Sequence, residues 1–263
     1  MKEKLIIYWF RNDLRINDNH GLYQALQMDK PVLPVFIFDF EIIKTFTTPS
    51  DKRMAFMYEL VKTLKQELES YGSSLKCFFT SPLQAFKQLL KDYTISEVVT
   101  TKEYEPYDRQ LEGSIQQLFD DYGITFYRIK DRVIFEENEV VTNNGTPYTV
   151  FTPYSKKWKS LLMQSPPEKF PSENLINHFK KSAPFSFPSL EDMGFIPERF
   201  IFPSKELNED IIENYALYRD YPAIQGTTRL GVHIRYGTIS IRQLVIKAQL
   251  LSEVFLNELI WRE

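Results

Sequence analysis

The feature that most constrains the fold is a regular alternation of short apolar runs and amphipathic stretches over the first half of the chain. Continuous apolar runs predict strands buried on both faces, and apolar residues at three- and four-residue steps predict helices. Such alternation predicts an α/β fold with a five-stranded parallel, Rossmann-like sheet covered by helices on both faces. The predicted strands are Leu5–Phe10, Pro31–Phe38, Leu75–Phe79, Glu97–Thr100 and Ile124–Tyr127.

Local signals place the first helices. Asp18 or Asn17 is expected to cap a helix that runs through Leu26. A long helix is expected to begin after a cap at Asp51 and to end at Gly72.

Composition limits the class of protein. Of the 263 residues, 43% are hydrophobic and the net charge is −3, so a foldable globular chain is expected, without a basic field that steers it to nucleic acid. Cys77 is the single cysteine, which excludes an internal disulfide and fits a reducing compartment. No apolar run reaches the length of a membrane span. We therefore expect a cytoplasmic protein.

The segment after the first strand lacks the glycine-rich fingerprint of dinucleotide-binding domains. It carries Arg11, Asp13 and Arg15 instead. These side chains form either a structural ion-pair cluster or the edge of a ligand cleft at the carboxyl ends of the strands.

The middle of the chain is rich in proline, with seven prolines between Pro166 and Pro203. Proline fixes φ and removes a backbone donor, so long helices and central strands are not expected there. We predict three regions: an α/β domain at 1–132, an extended interdomain linker at 133–208, and the start of an all-α domain at 209–263.

The last region carries the candidate site. A helix over Glu209–Arg219 is followed by the turn Gly226-Thr227-Thr228, which is either a phosphate-binding turn or a plain helix cap. A capping box at Ser240 begins the next helix. On the last helix, Asn257, Glu258, Trp261 and Arg262 share one side, as a ligand site or as a surface ion pair beside a packed indole.

Metal and nucleophile chemistry is not indicated. His20, His178 and His233 lack the spacing of metal ligands, and Cys77 lies within an apolar strand, where an inert core thiol is expected. No metal site is predicted.

Taken together, five segments resemble the photolyase/cryptochrome family, and the resemblance covers the whole chain. The form of Asn257–Glu263 is similar to class I cyclobutane pyrimidine dimer (CPD) photolyases. The other segments are Tyr8–Arg15 with Asp18-Asn19, Glu103–Tyr107, Val150–Tyr154, and Arg219–Pro222 running into Gly226–Leu230.

The resemblance implies non-covalent FAD in the helical domain and DNA containing pyrimidine dimers as the partner. Matching positions imply that Glu258 and Trp261 are catalytic and contact the flipped lesion, and that Arg219, Asn257 and Arg262 also contact DNA. Gly231 replaces a serine common in the family, so one side-chain contact is expected to be missing. The implied flavin contacts are Tyr215, Thr227, Thr228, Arg229, Leu230 and Gly231.

The resemblance also implies a deoxyribodipyrimidine photo-lyase, expected to be a monomer. The alternatives are a cryptochrome-type blue-light receptor without repair and a nucleotide-binding α/β protein unrelated to light. A second, antenna chromophore of unknown identity is implied. Folate is not favoured for it, because Tyr107 and Asp108 replace the Asn-Glu pair of some folate-binding members. Because the family continues beyond the position of Glu263, we expect a C-terminally truncated chain that is inactive alone and binds FAD weakly or not at all.

Overall fold

A computed structural model describes the protein from Glu3 to Glu263. Its contacts group the chain into two compact units. The sheet unit comprises Met1–Asp131 and Phe170–Phe202, and the helical unit comprises Arg132–Lys169 and Pro203–Glu263. Each unit has its own apolar core.

The sheet unit contains five parallel strands in the order β3-β2-β1-β4-β5. The central strand β1 is buried from its second residue onward, which explains its unbroken apolar sequence. The predicted α/β class and parallel sheet are confirmed. The strands are β1 Lys4–Phe10, β2 Val32–Asp39, β3 Lys76–Thr80, β4 Thr94–Thr101 and β5 Thr125–Ile129.

Five helices connect these strands, and the predicted cap and stop of the long helix are confirmed. Asp51 caps α3, and Gly72, with φ of +75°, follows its end. The predicted cap of α1 is wrong, because Asn19 accepts the hydrogen bond from the Leu22 N–H at 3.0 Å. Asp18 accepts instead from the backbone of Phe170. The helices are α1 His20–Gln27, α2 Phe40–Ile43, α3 Lys52–Ser70, α4 Pro82–Asp92 and α5 Pro106–Asp121.

The helical unit contains six helices within its described residues. The single helix predicted over Glu209–Arg219 is wrong, because the chain leaves the helical conformation at Asn214. The Asn214 side-chain amide donates to the carbonyl of Asp210 at 2.9 Å, a local bond that competes with helix propagation. The helices are α6 Phe151–Gln164, α7 Glu209–Glu213, α8 Tyr215–Tyr218, α9 Gly231–Arg235, α10 Ile241–Leu251 and α11 Glu253–Trp261.

The segment predicted as a linker is divided between the two units. Its first part contains α6, and its proline-rich part returns to the sheet unit, where the Lys180 N–H donates to the Val32 carbonyl at 2.8 Å. A 3-10 helix at Ser172–His178 is the one helical element described between Ser165 and Asn208. The limits of functional domains at 132 and 208 stay a prediction.

A buried carboxylate organises the carboxyl edge of the sheet. Asp13 is fully buried and accepts hydrogen bonds from Tyr8 Oη, Asn19 Nδ2 at 3.0 Å and Thr101 Oγ1 at 2.8 Å. The Arg11 N–H donates to its other oxygen at 2.7 Å. Burial, with the charge of Asp13, raises the pKa of Tyr8, so its hydroxyl remains a donor. The network connects β1 to the start of α1 and the end of β4.

Two classes of feature are absent from residues 3–263. No helix in this range is long and apolar enough to cross a bilayer. No group of three or more His, Cys, Asp or Glu side chains in the same range is arranged to hold a metal ion.

The close approach of α1 to Tyr8 generates a stability prediction. A Cβ at Gly21 would lie 2.8 Å from Tyr8 Oη, so Gly21→Ala should destabilise the protein by roughly 1–3 kcal/mol through overpacking. Tyr8→Phe removes the clashing oxygen, so the double variant should lose less stability than the sum of the two single variants. Urea unfolding measures all three.

The control for this cycle is Gly113→Ala. Gly113 lies within α5, and no atom would come within 4 Å of an added Cβ. Alanine should therefore stabilise α5 by up to about 1 kcal/mol. Additive losses in the Tyr8–Gly21 cycle, or a stabilising Gly21→Ala, would contradict the packing argument.

Candidate functional site

Helix α11 carries the candidate site on its solvent-accessible face, and its other face is buried. Ser252 caps the helix by accepting from the Phe255 N–H at 3.4 Å. The buried face of α11 lies in the core of the helical unit and consists of Phe255, Leu256, Leu259 and Ile260. Glu258 and Trp261 lie outside this core and are accessible to solvent, as a ligand site requires.

Glu258 forms an ion pair with Arg219, which directly follows α8. Arg219 Nη1 donates to Glu258 Oε1, and both side chains are about one-third exposed. Asp220 lies 3.4 Å from Arg219 Nε, and the guanidinium carbon lies 5.3 Å from the centre of the Tyr215 ring. The surface ion pair considered within α11, Glu258 with Arg262, is therefore replaced by a pair between two helices.

Trp261 carries an exposed ring face beside this ion pair. Its side chain is 64% exposed, and its ring is stacked on Phe151 with centroids 4.0 Å apart and planes within 5°. Phe151 begins α6 and covers one face of the indole. The other face is left for an aromatic ligand. Phe151 lies in Val150–Tyr154, one of the segments that resemble the family, and no role was predicted for it from the sequence.

Asn257 and Arg262 are in different environments. Asn257 Oδ1 is buried and has no hydrogen-bond partner among the described residues. Arg262 Nη1 donates to the carbonyl of Arg132 at 2.5 Å, which holds that guanidinium against its own unit. A DNA contact for either residue stays a prediction.

Tyr215 connects α8 to α11 by packing. Its ring meets the Phe255 ring edge-on at 5.2 Å. Burial, together with the negative charge of Glu258, raises the pKa of Tyr215, so the hydroxyl stays protonated and can donate to a ligand.

The segment Gly226–Leu230, here called the threonine turn, is held in place at both ends. Gly226 packs against the Tyr218 backbone, where an added Cβ would lie 2.4 Å from the carbonyl oxygen. The close approach that requires a glycine at position 226 is therefore to the protein's own backbone. At the other end, Leu230 is 1% exposed and joins the same core as α11.

Between these anchors the turn offers backbone donors. Arg229 has φ of +53° and Leu230 is right-handed, a pairing that orients successive N–H groups toward one concave surface. The N–H groups from Thr227 to Gly231 have no acceptor among residues 3–263. Five donors without partners on one short turn are what an anion such as a phosphate can use.

A half-buried acid that no sequence pattern indicated, Glu263, completes the helical unit. Glu263 accepts from the N–H groups of Ile134 at 3.0 Å and Phe135 at 3.1 Å, and from Trp158 Nε1 at 3.4 Å. Burial raises the pKa of the Glu263 carboxyl, against the opposing effect of these donors. The partners lie more than 100 positions earlier in the sequence, so no local pattern indicated them.

In the sheet unit, the segment after β1 forms an ion-pair cluster, one of the two interpretations left open. Arg11 pairs with Asp108 and Glu112, each at 2.5 Å. Asp108 is therefore engaged by Arg11, and the neighbouring Tyr107 hydroxyl donates to Asp39 at 2.6 Å.

A family model described as DNA photolyase matches residues 6–172, more than half of the chain. The chain belongs to the DNA photolyase family. The deoxyribodipyrimidine photo-lyase of Halobacterium salinarum is 27% identical over 290 residues, which cover 98% of this chain and 60% of that protein. An uncharacterized 31.6 kDa protein of Synechococcus sp. PCC 6716 is also 27% identical, and the match covers 100% of both chains.

Solved photolyase and cryptochrome structures share the fold. A class III photolyase from Agrobacterium tumefaciens has a TM-score of 0.74 at 22% identity and covers 100% of this chain and 58% of that structure. A cryptochrome from Synechocystis sp. PCC6803 has a TM-score of 0.76 at 18% identity and covers 100% and 60%. The photolyase family member described here thus spans about three-fifths of the photo-lyase and of both solved chains.

The raised pKa of the Glu263 carboxyl predicts that the stability of the protein depends on pH. Because folding raises its pKa above the ordinary value of 4.5, its stabilising contribution is fully present below pH 4.5 and is lost as pH rises through the folded pKa. Glu263→Gln does not titrate, so its unfolding free energy relative to wild type should increase with pH across that window. Urea unfolding at a series of pH values measures the difference.

Glu253→Gln is the control with the opposite sign. Lys159 hydrogen-bonds the Glu253 carboxylate and lowers its pKa, so the contribution of Glu253 is present above pH 4.5 and is lost as pH falls. A Glu263→Gln difference that stays constant with pH would show that the carboxyl is not held in the buried form described.

Proposed function

We propose that this photolyase family member repairs cyclobutane pyrimidine dimers in DNA by light-driven electron transfer from reduced FAD. The observation that carries the proposal is the exposed indole of Trp261 one helical turn after the solvent-accessible Glu258, on a helix whose opposite face is buried. An aromatic plane beside a hydrogen-bonding charged pair suits a flipped-out base. The name of the Halobacterium salinarum relative supports the same chemistry.

The threonine turn fits the phosphates of FAD. Its five N–H groups without acceptors would hold the phosphate oxygens, and the Thr227 and Thr228 hydroxyls would add donors. No atom lies within 4 Å of a Cβ built on Gly231, so the turn is open on that side. Tyr215 would contact the cofactor through its protonated hydroxyl.

The protein's residues position the lesion. FAD, when bound and reduced, would supply the light-driven, reversible electron transfer that opens the cyclobutane ring. Trp261 would stack on the extruded dimer, and Glu258 would hydrogen-bond a pyrimidine and stabilise its added charge. Arg219 would contact a DNA phosphate, which fixes register without reading sequence. Asn257 Oδ1, a buried acceptor without a donor, would accept from the lesion or from the bound DNA.

The proposal also covers the DNA partner, a second chromophore and the cellular compartment. DNA that contains pyrimidine dimers is the proposed partner, with Arg262 as a further contact if it leaves the Arg132 carbonyl. A second chromophore would belong to the sheet unit. We propose the cytoplasm as the compartment, because a chain with one cysteine suits reducing conditions.

A blue-light receptor of the cryptochrome type is the second candidate. The Synechocystis cryptochrome shares the fold across the whole chain. Glu258 and Trp261 together favour repair, since a receptor without a lesion needs neither the stacking face nor the carboxylate beside it. Recovery of thymine absorbance after irradiation of dimer-containing DNA, with reduced FAD present, would separate the two.

The stacking role of Trp261 predicts a binding loss. Trp261→Ala should weaken binding of a dimer-containing oligothymidylate by roughly 1–3 kcal/mol, because one stacking surface is removed. Trp261→Phe, the matched control, keeps a ring and should retain most of the affinity. Fluorescence anisotropy of labelled oligonucleotides measures both. A wild-type chain that binds damaged and undamaged strands equally well would sink the repair proposal.

The backbone donors of the turn predict a conformation-dependent affinity for FAD. Arg229→Val places a β-branched residue where φ is +53°, so it should distort the turn and reduce FAD affinity about tenfold or more. Arg229→Gly removes the same charge but tolerates this φ, and should bind FAD much more tightly than the valine variant.

Flavin fluorescence quenching on titration of FAD into each variant measures these affinities. The ratio of the FAD affinities of the glycine and valine variants is the informative quantity. Equal loss in both variants would mean that the Arg229 side chain, and not the shape of the backbone, holds the phosphates.

A further inference from the structure

The ion pair between Arg219 and Glu258 joins two groups to which the proposed function gives different partners. Arg219 would contact a DNA phosphate and Glu258 a pyrimidine of the lesion. Arg219 Nη1 donates to Glu258 Oε1. Each side chain is therefore the hydrogen-bond partner of the other, and DNA would have to compete with this pair.

The other groups around the guanidinium leave Glu258 as its main partner. Asp220 reaches Arg219 Nε at 3.4 Å from a side chain that is 83% exposed, and the Tyr215 ring lies 5.3 Å from the guanidinium carbon. Arg219 Nη2 has no hydrogen-bond partner among residues 3–263. A phosphate that takes the Nη1/Nη2 edge in a two-bond geometry competes with the Glu258 oxygen for Nη1.

The other edge of the guanidinium does not avoid this conflict. A phosphate on Nε and Nη2 would leave the Glu258 carboxylate on the same cation, so two anions would compete for one positive charge. Both routes make the Glu258 charge unfavourable for binding an ordinary DNA backbone. Because the pair is about two-thirds buried and not fully buried, exchange by an incoming phosphate remains accessible.

We propose that Glu258 is an intramolecular competitor for the phosphate site on Arg219, and so a specificity-determining residue against undamaged DNA. When a phosphate takes Arg219, the released carboxylate needs a new hydrogen-bond partner. A flipped dimer supplies one, and a stacked, paired base does not. The exchange therefore penalises undamaged DNA and leaves Glu258 free for the lesion.

This inference rests on the proposed function, but its test needs neither light, flavin nor a lesion. Binding of an undamaged, fluorescein-labelled DNA duplex, in which every base is paired, is measured in the dark by anisotropy at low ionic strength. Glu258→Gln should bind it about two- to fivefold more tightly than wild type, the range expected for release of a partly exposed ion pair. Glu258→Ala should show the same gain and serves if the glutamine variant folds poorly.

Removal of any negative charge raises affinity for DNA, so a charge-matched control is needed. Glu213, at the end of α7, is exposed and has no ion-pair partner among the described residues. Glu213→Gln changes the net charge equally without releasing Arg219, and should give a smaller gain. In an Arg219→Gln background, Glu258→Gln should add no more than Glu213→Gln does.

Three results would overturn the inference. They are an equal gain from Glu258→Gln and Glu213→Gln, a full Glu258→Gln gain that persists without Arg219, and no measurable duplex binding by any variant. Circular dichroism melting curves confirm that each variant is folded. Failure of the repair proposal would show separately, as equal affinity of the wild-type chain for damaged and undamaged strands.

Discussion

The burial of one face of α11 is the constraint on which the candidate site depends. Four apolar side chains of a nine-residue helix are nearly inaccessible to solvent, and each fully buried large apolar side chain contributes about 1.5–3 kcal/mol. Rotation of the helix would expose that face, so the opposite face is fixed as well. Glu258 and Trp261 thereby gain defined directions without themselves being buried. Leu230, at the end of the threonine turn, packs in the same core as the buried face of α11. The proposed phosphate-binding turn and the proposed lesion-binding helix are therefore anchored in one core.

The sheet unit uses its polar residues differently. At the carboxyl edge of the sheet, where α/β proteins commonly bind ligands, Asp13 collects four donors and Arg11 is held between two acids. Groups that are already paired in this way are costly to redirect to a ligand. The residues therefore act mainly as structural connections between β1, α1 and β4. In the helical unit, by contrast, the side-chain oxygen of Asn257 and the N–H groups from Thr227 to Gly231 have no hydrogen-bond partner among the described residues.

The sequence was most informative where structure is local. Runs of four to eight residues predicted each strand to within a few residues, and Asp51 and Gly72 marked the ends of α3 correctly. The site residues were selected because they recur three and four positions apart on one helix. The break at Asn214 was missed because a helix-compatible apolar pattern continues across it.

Contacts between distant segments were beyond that reasoning. Arg219 and Glu258 are 39 positions apart, and neither composition nor period indicates that they meet. The stacking of Phe151 on Trp261 and the hydrogen bond from the Ile134 N–H to Glu263 also join residues that are far apart in the sequence. Such pairings are set by how helices pack, which depends on the summed shape of a core and not on any one segment. Motif resemblance indicated the candidate site residues, and the structure shows which side chains pack against them or hydrogen-bond to them.

The unequal burial of the three tryptophans has a consequence for observing the protein. Trp9 and Trp158 are 3% and 0% exposed, whereas Trp261 is 64% exposed. Indole emission shifts to longer wavelength in water, so the red edge of the intrinsic fluorescence comes almost entirely from the candidate site. The chain thus carries its own optical reporter, without a label, at the ring where a damaged base is proposed to bind.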